Sequence, residues 1–456
     1  MENPVIEKRN HLETTPIVSL IIKMSVPTVL AQLVQLLYNV VDRVYVGRIP
    51  DVSSLALAGL GVAVPVISII IAFAGLVGSG GATRAAIAMG EKNIEKAEKL
   101  LGNAISLILI FSVTLTTIFL IFKEPILFVF GASTDTIEFA SGYLSIYLWG
   151  TIFVQMTLGL NTFITNQGFS KTSMLTVLIG CVLNIILDPI FIFGLNMGVK
   201  GAALATIISQ AVSAIWVLSF LLGKKSFLKI KLKNLKLSRP VIGAIVSLGV
   251  SVFIMQTTES LIQLVFNRGM QTYGGDMHVA LMSILFSLMQ IIFLPIMGIG
   301  QGAQPIMSYN FGAQNVQRAK DTFKYLLIIV CIFSIILCSI MISFPHFFIG
   351  IFTPDENLIN LGIPALRVFI IGMMFMGIQF ASQQAFVSTG RAKMSIFLAM
   401  LRKIILLTPL ALLLPHCSGL GYWGVIIAEP ISDILSASTA GILFFANRKK
   451  IFVKKD

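Results

Sequence analysis

The sequence predicts an all-α polytopic membrane protein of twelve transmembrane helices in two six-helix lobes related by a parallel internal repeat. Three observations carry that prediction. The 456-residue chain is 56% hydrophobic and only 12% charged, with a mean hydropathy of +0.92, whereas soluble domains carry roughly 25% charged residues. Apolar runs near the ~20 residues a helix needs to cross a bilayer recur from end to end. The second half of the chain also repeats the first at a nearly constant offset.

The runs fall at 16–44, 55–82, 97–122, 136–164, 172–193, 199–222, 240–266, 277–303, 322–343, 359–386, 394–414 and 421–446. Gly and Pro inside several of them are compatible with membrane helices, whose neighbours satisfy the freed backbone groups. Basic residues alternate with the runs. Lys8 and Arg9 precede the first; Arg84, Lys92, Lys96 and Lys99 follow the second; Lys171 follows the fourth; a cluster from Lys224 to Arg239 follows the sixth. Arg318, Lys320 and Lys324, then Arg391 and Lys393, then Arg448, Lys449, Lys450, Lys454 and Lys455 complete the series. All lie on one side of a twelve-span chain, so the positive-inside rule expects both termini in the cytoplasm. The net charge of +13 is therefore a topology signal with scope for anionic-lipid contact. It is not the footprint of a nucleic-acid partner.

Cys181, Cys331 and Cys338 sit inside apolar runs and Cys417 near a short outer loop, a pattern with neither a disulfide framework nor metal-ligand spacing. The first run is too long for a cleaved signal and carries Lys23, Gln32, Gln35 and Asp42.

The repeat is explicit in GSGGATRAAIAMGEKNIEKA from Gly78 and GQGAQPIMSYNFGAQNVQRA from Gly300. A shift of 222 sets Gly78, Gly80, Gly90, Asn93 and Ala97 on Gly300, Gly302, Gly312, Asn315 and Ala319. The same shift sets Gly150, Phe153, Gly168, Lys171 and Ser173 on Gly372, Phe375, Gly390, Lys393 and Ser395. Shifts of 223 and 224 set Gly201 and Ala205 on Gly424 and Ala428, and Gln32 on Gln256. Six spans per half keep one orientation, so the axis relating the halves runs along the membrane normal. The expected division is a first lobe at 1–222, a basic linker at 223–239 and a second lobe at 240–456. The linker reads as a solvated, lipid-facing amphipathic segment on the cytoplasmic surface. Neither Gly-rich stretch ends in GK[ST], which excludes a phosphate loop; close helix packing explains the glycines.

Ionisable residues within apolar runs are costly and mark candidate functional positions. Asp188 lies in the fifth run, with Asn184 one helical turn earlier on the same face and Pro189 freeing the carbonyl of Ile185. The set offers a carboxylate, an amide oxygen and a free carbonyl, suited to a hard cation or a proton. Pairing of Asp188 with a neighbour across a proline kink is the alternative. Asp42 near the outer end of the first run and Thr206 in the sixth sit at the same expected depth; for Asp42, an interfacial pair with Arg43 or Arg48 is the competing reading. In the second half Glu429 and Asp433 share a helical face around Pro430, and Arg402 and Lys403 stand at similar depth. A buried pair such as Arg402 with Asp433 is the expectation there. Glu259, with no basic partner expected at its level, is the better candidate for a cationic substrate or a proton. Gln32, Gln35, Asn39, Asn161, Gln256, Gln263, Gln290 and Gln383 line a cavity or bond between helices. Met373, Met374 and Met376 with Phe153, Phe375 and Phe380 form a plastic wall or a packing surface.

LLYNVVDRVYVGR from Leu36, LNIILDPIFIFGLNMGVKGAALAT from Leu183 and the duplicated Gly-rich stretches resemble the multidrug and toxic compound extrusion (MATE) transporters, closest to their prokaryotic drug-efflux branch. The resemblance spans essentially the whole chain. It implies a V-shaped pair of lobes around a central cavity, exporting small amphipathic or cationic drugs in exchange for H+ or Na+, with no other cofactor. It also implies that Asp42, Asn184, Asp188 and Thr206 form the cation-coupling cluster and that Glu259 matches the seventh-span acid of some members. Where some members carry a tenth-span acid, this chain has Gln379, Gln383 and Gln384, so proton coupling at Asp188 is the expectation. A monomer in the cell membrane is expected.

A flippase for lipid-linked sugars is the nearest rival, but it calls for several cavity bases and the central spans offer chiefly Arg402 and Lys403. A membrane enzyme calls for clustered catalytic residues; His11, His278, His346 and His416 are scattered, and no hydrolase or metalloprotease motif occurs. A channel calls for a repeated carbonyl filter sequence, which is not seen.

Overall fold

The computed structural model describes residues 11–50, 52–417 and 419–453. Lys8, Arg9, Lys454 and Lys455 lie outside them. Among the described residues every regular element is helical. The first half contains α1 (Ile17–Val46), α2 (Ser53–Gly90), α3 (Ile94–Val129), α4 (Ile137–Trp149), α5 (Thr151–Asn166), α6 (Ser170–Pro189) and α7 (Val199–Leu222). The second contains α8 (Arg239–Gly274), α9 (Asp276–Gly312), α10 (Val316–Ser343), the short α11 (Pro345–Gly350), α12 (Glu356–Ile371), α13 (Met376–Ser388), α14 (Ala392–Met400), α15 (Thr408–Leu413) and α16 (Tyr422–Ile451). Among the described residues eleven helical stretches are long and apolar enough to cross a membrane, or twelve when α4 and α5 count as one bent span.

The fourth run, expected as one helix, is two segments bent by 59° at Gly150. With no Cβ, Gly150 lets the Ile207 side chain of α7 fill the elbow. Its repeat partner Gly372 opens a 3₁₀ turn, Gly372–Phe375, where a Cβ would lie 2.9 Å from Cβ of Asp433. The same register is thus interrupted in both halves, so that a neighbouring helix can approach.

Other repeat-related residues have matching local roles. Asn93 and Asn315 cap α3 and α10, their side-chain oxygens accepting from Lys96 N at 3.0 Å and Arg318 N at 3.2 Å. Just before them, Lys92 and Gln314 adopt left-handed φ of 59° and 57°. These turns carry the chain from α2 to α3 and from α9 to α10.

Helices of opposite halves cross at glycines. Gly80 of α2 lies against the carbonyl of Ile245 and Gly249 of α8 against that of Leu76. In the corresponding crossing, Gly298 and Gly302 of α9 face Val29 and Ser25 of α1, and Thr28 Oγ1 donates to Gly298 O at 2.6 Å. At the basic-loop end α2 meets α9 directly: Gly90 abuts the carbonyl of Tyr309, and Gly312 abuts that of Ile87.

The segment 223–239 is solvated only in part: Lys224, Lys225, Lys231, Leu232, Lys233 and Lys236 are exposed, as expected, while other positions are anchored. Ser226, Phe227 and Leu228 are buried, and Gln167 Oε1 accepts from the backbone of Phe227 at 2.7 Å and Leu228 at 3.2 Å and from Ser226 Oγ at 3.0 Å. Asn103 Nδ2 donates to Asn234 O at 3.1 Å, and its Oδ1 accepts from Ser238 N at 2.8 Å. Glu98 pairs with Lys231 at 2.5 Å. A buried non-helical backbone needs such partners, and polar residues of α3 and the end of α5 provide them.

Candidate functional site

In the first half α6 places Asn184 and Asp188 four residues apart on one face, and both are buried, at 1% and 0% exposure. Asn184 Nδ2 donates to Asp188 Oδ1 at 3.2 Å and to Thr206 Oγ1 of α7 at 3.3 Å. Immediately after Pro189 the helix widens into a π-turn, Ile190–Gly194, as expected where a proline removes a donor. Asp42 comes from α1 and is buried. Its carboxyl is close enough to that of Asp188 for the two to interact electrostatically. The structure therefore brings Asp42, Asn184, Asp188 and Thr206 together, and Arg43, the partner the competing reading gave Asp42, also acts on it electrostatically.

Three buried oxygens in this cluster have no hydrogen-bond donor among the described residues: Asp42 Oδ1, Asn184 Oδ1 and Asp188 Oδ2. Two facing carboxyls with spare lone pairs can hold a proton or a small cation. The sequence reading missed the tyrosines around them. Tyr38 OH lies 3.4 Å from Thr206 Oγ1, Tyr38 and Tyr143 are both near enough to Asp42 to interact with it electrostatically, and Tyr143 is stacked on Tyr147 at 6.1 Å. Tyr38 precedes Asp42 by one helical turn, a spacing that placed it on the same face. A small cleft beside the cluster is lined by Gln35, Tyr38, Asn161, Asn184, Thr206 and Gln210 among others.

In the second half Arg402 Nε donates to Asp433 Oδ1 at 2.7 Å and its Nη2 to Glu429 Oε1 at 3.0 Å, with all three buried. Glu259 corrects the sequence reading, which expected no basic partner: Lys403 Nζ pairs with its Oε2. The cause is helical geometry. Adjacent helix residues diverge by about 100°, so Arg402 points at α16 and Lys403 at α8 from one turn. That turn is itself a π-helix, Leu401–Leu407. Once Arg402 was matched to two acids, an unmatched Lys403 was the signal for Glu259. Gln383, read as cavity-lining or bonded between helices, donates to Ser395 O at 3.1 Å and Oγ at 2.9 Å.

These long apolar helices, with acids buried at their crossings, define a polytopic membrane protein. The family model described as MatE matches twice, over residues 27–190 and 251–413, and the chain belongs to this MATE family of transporters. It is 27% identical over 451 residues to the multidrug export protein MepA of Staphylococcus haemolyticus, covering 98% of both chains. It is 26% identical over 447 residues to MepA of Staphylococcus aureus, again covering 98% of both. At 25% identity and a TM-score of 0.90 it is similar to the outward-facing conformation of a multidrug resistance MATE family transporter of the MOP superfamily, over 97% of this chain and 98% of that one. A MOP superfamily transporter from Pyrococcus furiosus is similar at the same score, identity and coverage.

Proposed function

We propose that this chain is a secondary active exporter of small amphipathic cations, driven by exchange for H+ at Asp42, Asn184, Asp188 and Thr206. One observation carries the reading: two carboxyls from helices distant in sequence meet in a buried site whose neighbouring oxygens have no donor. Two carboxylates in contact at low dielectric are lowest in energy with a proton or small cation between them, so loading and unloading that ion changes the local charge. A proton fits without the full oxygen shell a metal cation requires. The multidrug export function of the staphylococcal relatives supports the substrate class. Residues 1–222 and 240–456 act as two lobes forming a V around a central cavity, joined by 223–239, rocking to give alternating access. Both termini face the cytoplasm of a cell in whose membrane the chain works as a monomer.

Ion binding drives the cycle only if one conformation binds the ion better than the other; bending of α1 near Pro27 is the proposed difference. The lipid-flippase reading loses ground because Arg402 and Lys403 are both ion-paired, which leaves no free cationic pair for a pyrophosphate. The test is ethidium export in proteoliposomes with pH and Na+ gradients imposed separately, wild type beside Asp188→Asn. Export driven by the pH gradient and lost in the variant is expected. Export driven by Na+ alone reassigns the ion, and export unaffected by Asp188→Asn refutes the site.

A further inference from the structure

The charged cluster of the second half is one cation short. Glu259, Glu429 and Asp433 bring three carboxylates, while Arg402 and Lys403 bring two cations; Cys338 is the other titratable neighbour facing Asp433. The deficit is visible as two buried carboxylate oxygens without donors, Glu429 Oε2 and Asp433 Oδ2. The cluster also has a closed end and an open end. Arg402, Glu429 and Asp433 side chains are 7%, 3% and 1% exposed, whereas Glu259 is 28% exposed. Arg402 and Lys403 both border a small cleft, whose walls include Met255, Phe293, Met376 and Phe380. Such walls suit a flat apolar cation, and the cleft reaches Glu259 only through Lys403, which lines it and pairs with that carboxylate.

We propose that Lys403 is a tethered counter-ion: a monocationic substrate entering this cleft displaces its ammonium from Glu259, and the unpaired oxygens of Glu429 and Asp433 receive it. The inference rests on the cation-exporter reading and adds the site at which the substrate's charge is recognised. Of the two bases only Lys403 is free to exchange. Arg402 is a planar fork held by two acids at once, whereas Lys403 ends in a compact ammonium on a flexible four-carbon stem. The alternative partner belongs to the same cluster, since Arg402, the residue next to Lys403, bonds to Glu429. One ion pair is traded for another, so no carboxylate is stripped of its partner, the event that makes broken buried pairs costly. With the substrate bound, three carboxylates face three cations and the cluster is neutral.

The experiment compares ethidium, which carries one positive charge, with propidium, which has the same ring system and two. Both are titrated by fluorescence against the purified full-length protein in nanodiscs. Wild type is expected to favour ethidium. Lys403→Met leaves the cluster two cations short and shifts the propidium-to-ethidium affinity ratio upward by about tenfold or more. Glu259→Gln, whose cluster is neutral without ligand, weakens both dyes. A folded, monodisperse Lys403→Met protein with the wild-type ratio overturns the inference alone, as does equal weakening of both dyes, which makes Lys403 a structural tether. If Lys403→Met does not fold, a Glu259→Gln protein that binds both dyes as wild type does overturns it. Wild-type protein that binds neither dye overturns the inference and the cation-exporter reading together.

Discussion

Arg402 is the clearest single test of what holds the second half together. It is buried between α14, α15 and α16, donates to Asp433 at 2.7 Å and Glu429 at 3.0 Å, and accepts from Ser432 Oγ through its carbonyl at 2.8 Å. Arg402→Met keeps most of the apolar stem but strands two carboxylates that are 3% and 1% exposed. Breaking a buried pair from one side costs about 3–5 kcal/mol. The total stays near that range rather than doubling, because Lys403 is close enough to Glu429 to offset part of the uncovered charge. Arg402→Met/Glu429→Gln/Asp433→Asn removes the charges as well as the cation and is expected to return to within about 1–2 kcal/mol of wild type. The assay is denaturant titration in micelles, backed by the temperature at which the monodisperse size-exclusion peak is lost. A single variant within about 1 kcal/mol of wild type, or a triple variant as unstable as the single, refutes the reasoning.

Three further outcomes are expected. Gly312→Val pushes a branched side chain against the Ile87 carbonyl of α2 and parts α2 from α9. In a cysteine-free background, maleimide labelling of Ser308→Cys, buried in the closed arrangement, then accelerates by about tenfold or more; unchanged labelling counts against the crossing as a closure. Asn103→Ala removes partners from Asn234 and Ser238 and costs about 1–3 kcal/mol for the polar groups left buried. Trypsin then cuts the 223–239 segment faster, and an unchanged digestion rate shows that the segment is held elsewhere. Tyr38→Phe removes only a 3.4 Å contact to Thr206, weak by length, so gradient-driven export stays within about threefold; a total loss places the hydroxyl in the ion path.

The fold class was legible because lipid imposes the same demand on every span, and composition alone reveals it. Residues 183–206 were legible for a related reason: an acid, an amide and a proline within one turn of an apolar helix have few structural explanations. What stayed hidden depends on who lies opposite. The elbow at Gly150 follows from Ile207 packing into it, and nothing in the run 136–164 announces that neighbour. The docked 223–239 segment relies on Gln167, Asn103 and Glu98, polar residues near helix ends that look solvated when read along the chain. Glu259 was misread because depth along a helix was available while rotation was not. The rotation of Lys403 relative to Arg402 decides which acid each one meets.

The direct meeting of α2 and α9 at Gly90 and Gly312 also bears on how much of the driving gradient is wasted. A closure made of side chains flickers as rotamers hop, on picosecond to nanosecond timescales. Here main chain lies on main chain, and no rotamer can open it. Parting this crossing takes a separation of whole helices, a motion of microseconds to milliseconds. On the proposed exchange reading that interval is the one in which the cluster around Asp188 loads or empties, so leakage through this crossing can run no faster than the working cycle itself.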